Sequence, residues 1–133
     1  MSKYAQGTSV EAGRTLTEIK ATLDRYGASG FGYLETGGHV VLAFEMRGRR
    51  VRFDMPLPKP EEAKRTAQGR SRTPAAAKIA GERAIRERWR ALLLTIKAKL
   101  ESVESGIETF DDAFLAQLVL PSGETMGAWS RLH

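Results

Sequence analysis

The longest run of regularly spaced apolar residues predicts one long helix over residues 74–105. The apolar positions recur at steps of three and four, which is the spacing of one helical face. They are Ile85, Trp89, Leu92, Leu93, Ile96, Leu100 and Val103. Thr73 suits the N-cap, Pro74 the first helical position and Gly106 a left-handed stop. Because this helix is far longer than the average of ~11–12 residues, we expect it to carry much of the core.

A second stripe of the same period predicts a shorter helix over residues 9–27, after a loose tail at residues 1–8. Thr8 and Glu11 have the spacing of a capping box, and Gly27 suits the helix end. The stripe consists of Ala12, Leu16, Ile19, Leu23 and Tyr26. We expect this face to pack on a sheet.

Residues 30–56 alternate between apolar and polar positions, which predicts a three-stranded antiparallel meander. The strands cover residues 31–35, 39–46 and 49–55, and the two-residue turns are Gly37-Gly38 and Arg47-Gly48. In this register one face pairs Phe44 with Val51 and Phe31, Leu42 with Phe53 and Tyr33, and Val40 with Met55. The other face pairs Glu45 with Arg50, Ala43 with Arg52 and Gly32, and Val41 with Asp54 and Leu34. A one-residue slip would mix the two faces, so the register is strongly specified.

The remaining segments join and close these elements. Residues 57–73 are rich in Pro, Lys and Arg and predict a long basic loop, of a length that is typically functional or disordered. Residues 109–133 predict a C-terminal helical segment, capped by Thr109 and interrupted by a turn at residues 121–124. A hairpin between residues 118–120 and 125–128 is the less favoured alternative. The expected fold is a single α+β domain over residues 1–133, with one face of the meander covered by the first helix and the long helix.

Composition argues against several classes of protein. The chain of 133 residues has no Cys and only two His, at positions 39 and 133, so we predict no metal site, no cofactor and no disulfide. Neighbouring acids such as Asp111 and Asp112 suit a helix start better than catalysis. No phosphate-loop motif and no membrane-spanning run is present in the sequence. We therefore predict a cytoplasmic protein that is not an enzyme.

Positive charge is the remaining functional signal. The net charge is +5, and 16 of the 21 Lys and Arg lie between Arg47 and Lys99. A balance of this kind favours nucleic acid or another polyanion. The candidate phosphate-binding residues are Arg50, Arg52, Lys64, Arg65, Arg70, Arg72, Arg83, Arg86 and Arg90. The helix charges alone also fit ordinary solvated pairs at helical spacing. The loop run 64–72 has no acidic residue beside it, and this favours the polyanion.

Most aromatic residues are expected in the core rather than on a binding surface. Phe31, Tyr33, Phe44 and Phe53 share the apolar face of the meander, and Trp89 belongs to the helical stripe. Trp129, near the C-terminus, is the candidate anchor for a partner protein, with closure of the core as its other interpretation.

The order of elements, three strands followed by a basic loop and a long helix, resembles the core of single-strand annealing proteins of the Rad52 and Redβ kind. That resemblance implies a basic groove beside the hairpin and helix that holds single-stranded DNA, in subunits that form rings or filaments. With the first helix included, the order is also similar to that of double-stranded-RNA-binding domains. In that comparison residues 73–78 (TPAAAK) stand at the start of the family's basic helix.

Short motifs spread over most of the chain suggest another likeness. They are residues 8–10 (TSV), 25–28 (RYGA), 51–53 (VRF) with 56–58 (PLP), 89–92 (WRAL), 96–101 (IKAKLE), 114–116 (FLA) and 120–123 (LPSG). Together they resemble a group of small phage and prophage proteins. The resemblance implies an accessory role in phage DNA metabolism or against a host system, without site residues.

The sequence therefore predicts a non-enzymatic, nucleic-acid-binding phage accessory protein. Binding or annealing of single-stranded DNA in recombination or replication is the favoured activity. The alternative is an inhibitor or adaptor that binds a host protein, for example one of defence or transcription. The sequence does not decide whether the nucleic acid is DNA or RNA, or whether it is single- or double-stranded. It also leaves open whether the protein is a homo-oligomer or a monomer.

Overall fold

The computed structural model describes residues 10–133 and has an α+β fold. Its elements are α1 (Val10–Arg25), β1 (Ser29–Thr36), β2 (His39–Met46), β3 (Arg49–Pro56), α2 (Pro74–Glu104), α3 (Phe110–Ala113) and α4 (Met126–Leu132). Two 3-10 turns, Pro60–Lys64 and Leu115–Gln117, lie in the connections. The predicted tail at residues 1–8 and the capping residue Thr8 lie outside the described residues. None of the described helices has the length and apolar character needed to cross a bilayer.

The three strands form an antiparallel sheet in the order β1-β2-β3, and the predicted register is confirmed between β2 and β3. Both turns are tight two-residue turns, with Arg47 at φ 53 and Gly48 at φ 74 in the second. The expected pairing of Phe31 with Phe44 falls within a bulge of β1. The register shifts between Ser29 and Gly32, so Ser29 lies opposite Glu45. Gly30, at φ 61, accommodates the extra residue as a bulge.

One face of the sheet packs against α1 and α2, as predicted. Val40, Leu42 and Phe44 from β2 and Val51 from β3 are almost fully buried in one cluster with the apolar stripes of both helices. The buried members of the α2 stripe are Trp89, Leu92, Leu93, Ile96 and Leu100, with Ile85 and Val103 packed at its ends. The ring centroids of Tyr33 and Trp89 lie 6.3 Å apart, edge to face. Tyr26 does not extend the α1 stripe, because the helix ends at Arg25 and the Tyr26 side chain is exposed.

The ends of α2 follow the predicted capping residues. The Thr73 side chain accepts a hydrogen bond from the Ala76 amide at 3.2 Å, and Pro74 takes the first helical position. Gly106, at φ 82, follows the end of the helix. Arg25 and Tyr26, at the end of α1, share a cavity wall with Leu100 and Val103, near the end of α2. The two helices therefore run in the same direction.

Residues 57–73 form a compact segment, which we call the basic flap. Its 3-10 turn is followed by a small hairpin in which Arg65 bridges Ser71, and the Thr66 amide donates to the Arg70 carbonyl at 2.8 Å. Ala63 is 8% exposed and packs beside Gly81 of α2. The flap is thus an ordered part of the fold, which the composition of the loop did not indicate.

The C-terminal segment closes the outer edge of β3. The predicted helical segment after Thr109 is interrupted earlier than expected, because Leu118 bridges Val51 and the Val119 amide donates to the Arg50 carbonyl at 2.9 Å. Val119 also bridges Thr125, so a minimal form of the less favoured hairpin is present before α4. Phe114, fully buried, packs edge to face against Phe44, with ring centroids 6.0 Å apart.

The contact between the flap and α2 gives a direct test of this packing. A Cβ atom added at Gly81 would lie 3.6 Å from the Ala63 Cβ, which is ordinary van der Waals contact. Gly81→Ala should therefore raise the free energy of unfolding by about 0.5–1 kcal/mol, since Ala is the better helix former. Urea denaturation measures the change. As a control, Gly106→Ala should lower stability, because its φ of 82 strains any L side chain. A less stable Gly81→Ala variant would contradict the flap packing.

Candidate nucleic-acid interface

The excess positive charge of the chain lies within one continuous segment. Residues 57–88 contain nine Lys and Arg against four Glu, whereas the rest of the chain contains twelve basic and twelve acidic residues. This segment comprises the basic flap and the first half of α2, and we call it the basic arm. The body of the protein outside the arm is therefore electrically balanced.

Most of the arm extends beyond the hydrophobic core, against which Ile85 packs. Trp89 is the first buried residue of α2, and none of the residues 74–88 is buried. At 1.5 Å per residue this half of the helix, in which every residue is exposed or half-buried, is about 22 Å long. The Arg88 Nη1 donates to the Pro56 carbonyl at 2.7 Å and ties the base of the arm to the end of β3.

The flap presents three exposed cations near the N-terminus of α2. Lys64, Arg65 and Arg70 make no ion pair with any residue in the range 10–133 that the structure describes. Arg65 donates to the Gly69 carbonyl at 3.0 Å, within the hairpin. Because no carboxylate in residues 10–133 pairs with these three cations, they are the strongest candidates for binding an external anion.

Arg72 has a different environment from the other flap cations. Its side chain is half-buried, and its Nη1 donates to the Ala63 carbonyl at 3.0 Å and to the Arg65 carbonyl at 3.1 Å. These bonds join the 3-10 turn to the hairpin. Arg72 therefore holds the flap in shape, whatever its remaining N–H groups bind.

The candidate arginines of α2 divide between the arm and the body. Arg83 is exposed and pairs with Glu87 at 3.2 Å, an ordinary helical pair, and Arg86 is half-buried. Arg90 lies beyond the arm and pairs with Glu18 of α1 at 3.4 Å. Glu18 also accepts a hydrogen bond from the Lys97 Nζ at 2.9 Å. Arg90 thus belongs to a contact between the two helices.

The two candidate arginines of β3 lie away from the arm. Arg50 and Arg52 alternate with the buried Val51 and Phe53, so they occupy the face of the sheet opposite the helices. Arg50 pairs with Glu45 at 3.7 Å. The Arg52 Nη1 donates to the Gly123 carbonyl at 2.7 Å, and its Nε lies 3.3 Å from Asp54. In the described part of the chain, neither side chain forms an ion pair or a hydrogen bond with the flap.

Two grooves flank the contact between the flap and α2. One, of about 720 Å³, lies against the helix positions Ala77, Lys78 and Ile85. The other, of about 730 Å³, lies against Ala76 and Arg83. Both are walled on the flap side by residues that include Lys59 and Arg72. Lys59 and Lys78 were not among the candidates from the sequence. The sequence feature that could have indicated them is their position within residues 57–88, where basic residues exceed acidic ones.

A metal or catalytic site would be marked by grouped ligating side chains or by shifted pKa values. No group of three or more His, Asp or Glu in residues 10–133 has the geometry to hold a metal ion. Two of the described groups that have a shifted pKa, Arg49 and Glu18, belong to ion pairs at the surface. A hydrogen bond with Asp111, bidentate at 2.7 and 3.0 Å, raises the pKa of Arg49. A hydrogen bond from Lys97 lowers the pKa of Glu18.

Trp129 lies on α4, near the C-terminus of the sequence and outside the arm. Its ring is 40% exposed and stacks on His133, with centroids 4.4 Å apart. The ring therefore lies at the surface and does not close the core. No family model, curated protein or solved structure matches this chain.

Glu18 allows a test of the contact between α1 and α2 by pH. Its lowered pKa means that the carboxylate stabilises the folded state above its ordinary value of 4.5, and that this stability is lost as pH falls through the lowered pKa. Glu18→Gln should therefore melt below the parent near neutral pH and together with it in strong acid. Glu101→Gln, an exposed change on α2, is the control. Equal loss at both pH values would show that the contact is not electrostatic.

Proposed function

We propose that this protein binds nucleic acid without catalysing a reaction, and that its basic arm holds the phosphate backbone. The observation that carries the proposal is the concentration of the whole excess charge on one protruding, folded arm. Arg65 and Arg70 present planar guanidinium groups, which match phosphate oxygens through paired hydrogen bonds. Lys64 adds a point charge beside them.

Contacts of this kind give affinity without reading a base sequence. Residues 57–88 contain no aromatic side chain, so the arm lacks the stacking platforms that many single-strand binders use. Affinity then depends mainly on counterion release and falls steeply with salt. Single-stranded DNA, bound during phage recombination or replication, remains the favoured ligand and setting from the sequence.

A second candidate function is an adaptor or inhibitor that binds a host protein. One observation favours it: α4 exposes Trp129 and leaves Leu132 78% accessible, which places two large apolar side chains on one short helix. Trp129→Ala should abolish such binding and leave nucleic-acid binding intact.

Removing the unpaired flap cations tests the proposal. The triple variant Lys64→Ser, Arg65→Ser and Arg70→Ser should lower affinity for a labelled oligonucleotide and reduce the slope of log K against log salt by about 2. Fluorescence anisotropy over a salt series measures both. Arg72 stays unchanged because its loss would unfold the flap.

The control is an equal loss of charge on the balanced body. Arg14→Ser, Lys20→Ser and Arg131→Ser remove three exposed cations outside the arm. This variant should bind nearly as the parent does. If the two triple variants lose affinity equally, net charge rather than the arm accounts for binding. No binding by the parent at low salt would overturn the proposed function.

A further inference from the structure

The groove of about 720 Å³ between the flap and α2 combines an apolar floor with a cationic rim. Ala63, Ala77 and Ile85 contribute alkyl surface to its lining. Lys59 and Lys64 stand on the flap side and Lys78 on the helix side. Among residues 10–133, Glu82 is the acidic residue that lines it. An occupant that suits this groove is therefore negatively charged along its length and has apolar surface between its charges.

We propose that this groove holds a single nucleic-acid strand, with sugars and bases against the alkyl floor and phosphates at the lysines of the rim. The inference rests on the proposed nucleic-acid function and adds where the strand lies and which form is bound. The groove would then differ from the rest of the arm, where the cations bind the phosphates of single strands and duplexes equally well.

The arrangement of charge and apolar surface selects against a duplex. A double helix carries its phosphates outside and stacks its bases inside, so it can reach the rim but has no apolar face to place on the floor. A single strand exposes its bases and can bury them beside Ala77 while its phosphates remain at Lys64 and Lys78. Apolar lining with few polar groups is also the usual character of sites that enclose small organic groups.

The groove is held open before any ligand binds. Arg72 donates to two carbonyls within the flap, and Arg88 donates to the Pro56 carbonyl at the flap's origin. The Arg72 bonds fix the shape of the flap, and the Arg88 bond ties the flap's origin to α2. A preformed groove spares the strand the cost of ordering protein segments on binding, which favours affinity.

A nucleic-acid strand suits the groove better than an acidic peptide does. The cations continue beyond the groove, to Arg70 at the hairpin and Arg83 on the other side of the helix, as a long polyanion requires. The helix side of the floor consists of small residues such as Ala77 and Gly81. A peptide would find no aromatic anchor among residues 57–88, whereas aromatic and Arg anchors usually dominate protein interfaces.

Two neighbouring alanines provide a matched pair of variants. Ala77 lines this groove, and Ala76 lines the groove on the other side of the flap contact. Ala77→Leu fills the floor without changing charge, and Leu is nearly as good a helix former as Ala. We expect Ala77→Leu to weaken single-strand binding about tenfold and to leave duplex binding unchanged. Ala76→Leu should change neither.

Anisotropy with a single-stranded oligonucleotide and its duplex at one salt concentration measures these effects, and thermal melting confirms that each variant is folded. If Ala77→Leu fails to fold, Lys78→Gln replaces it, with Arg14→Gln as the control of equal charge. Single-strand affinity should then fall more for Lys78→Gln than for its control, and equal effects would overturn the inference.

The outcomes separate this inference from the proposed function. Parent-like single-strand binding by Ala77→Leu, or equal losses on single strand and duplex, overturns the groove assignment and leaves the arm as a binding surface. Failure of the parent to bind either form at low salt overturns both. If polyglutamate binds the parent more tightly than the oligonucleotide and Ala77→Leu weakens only polyglutamate, the groove belongs to an acidic protein.

Discussion

The structure depends on a mismatch of length between α2 and the sheet that it covers. Each strand has eight residues, about 26 Å at 3.3 Å per residue, whereas the 31 residues of α2 span about 46 Å. Burial of Trp89, Leu93 and Ile96 fixes the second half of the helix on the sheet. Most of the first half, from Ile85 toward the helix N-terminus, consequently extends past the core, and the flap packs against it. The basic arm is thus a consequence of where the apolar stripe begins.

Charge follows the same division. Several cations of the body lie beside carboxylates that the fold places there, as Arg49 beside Asp111 and Lys97 beside Glu18. Exposed pairs of this kind add little stability each, but they leave little net positive field on the body. The flap cations have no such partners within the described part of the chain. A polyanion that approaches the protein would therefore be attracted mainly to the arm, since long-range steering follows unbalanced charge.

Local pattern predicted the sheet and the helices well, because alternation and helical spacing are properties of neighbouring residues. Phe44 and Val51 could be paired from the turn between them alone. The bulge at Gly30 could not, since glycine also suits a plain turn. The environments of Arg52 and Arg90 were equally hidden, because their partners Gly123 and Glu18 lie about seventy residues away in sequence. The order of the flap depends on carbonyl contacts of Arg72, which no periodicity reveals.

The distribution of aromatic residues completes the physical picture of the arm. Phe44, Phe53, Phe114 and Trp89 are buried in the core, where ring packing adds to the burial of area. The arm has none, so a ligand there meets cations and alkyl surface. Cations attract single strands and duplexes alike, and the salt dependence follows from them. The alkyl surface stabilises only the binding of a ligand that has exposed bases. Selectivity for strandedness must therefore come from the floor beside Ala77, and overall affinity from the lysines and arginines above it.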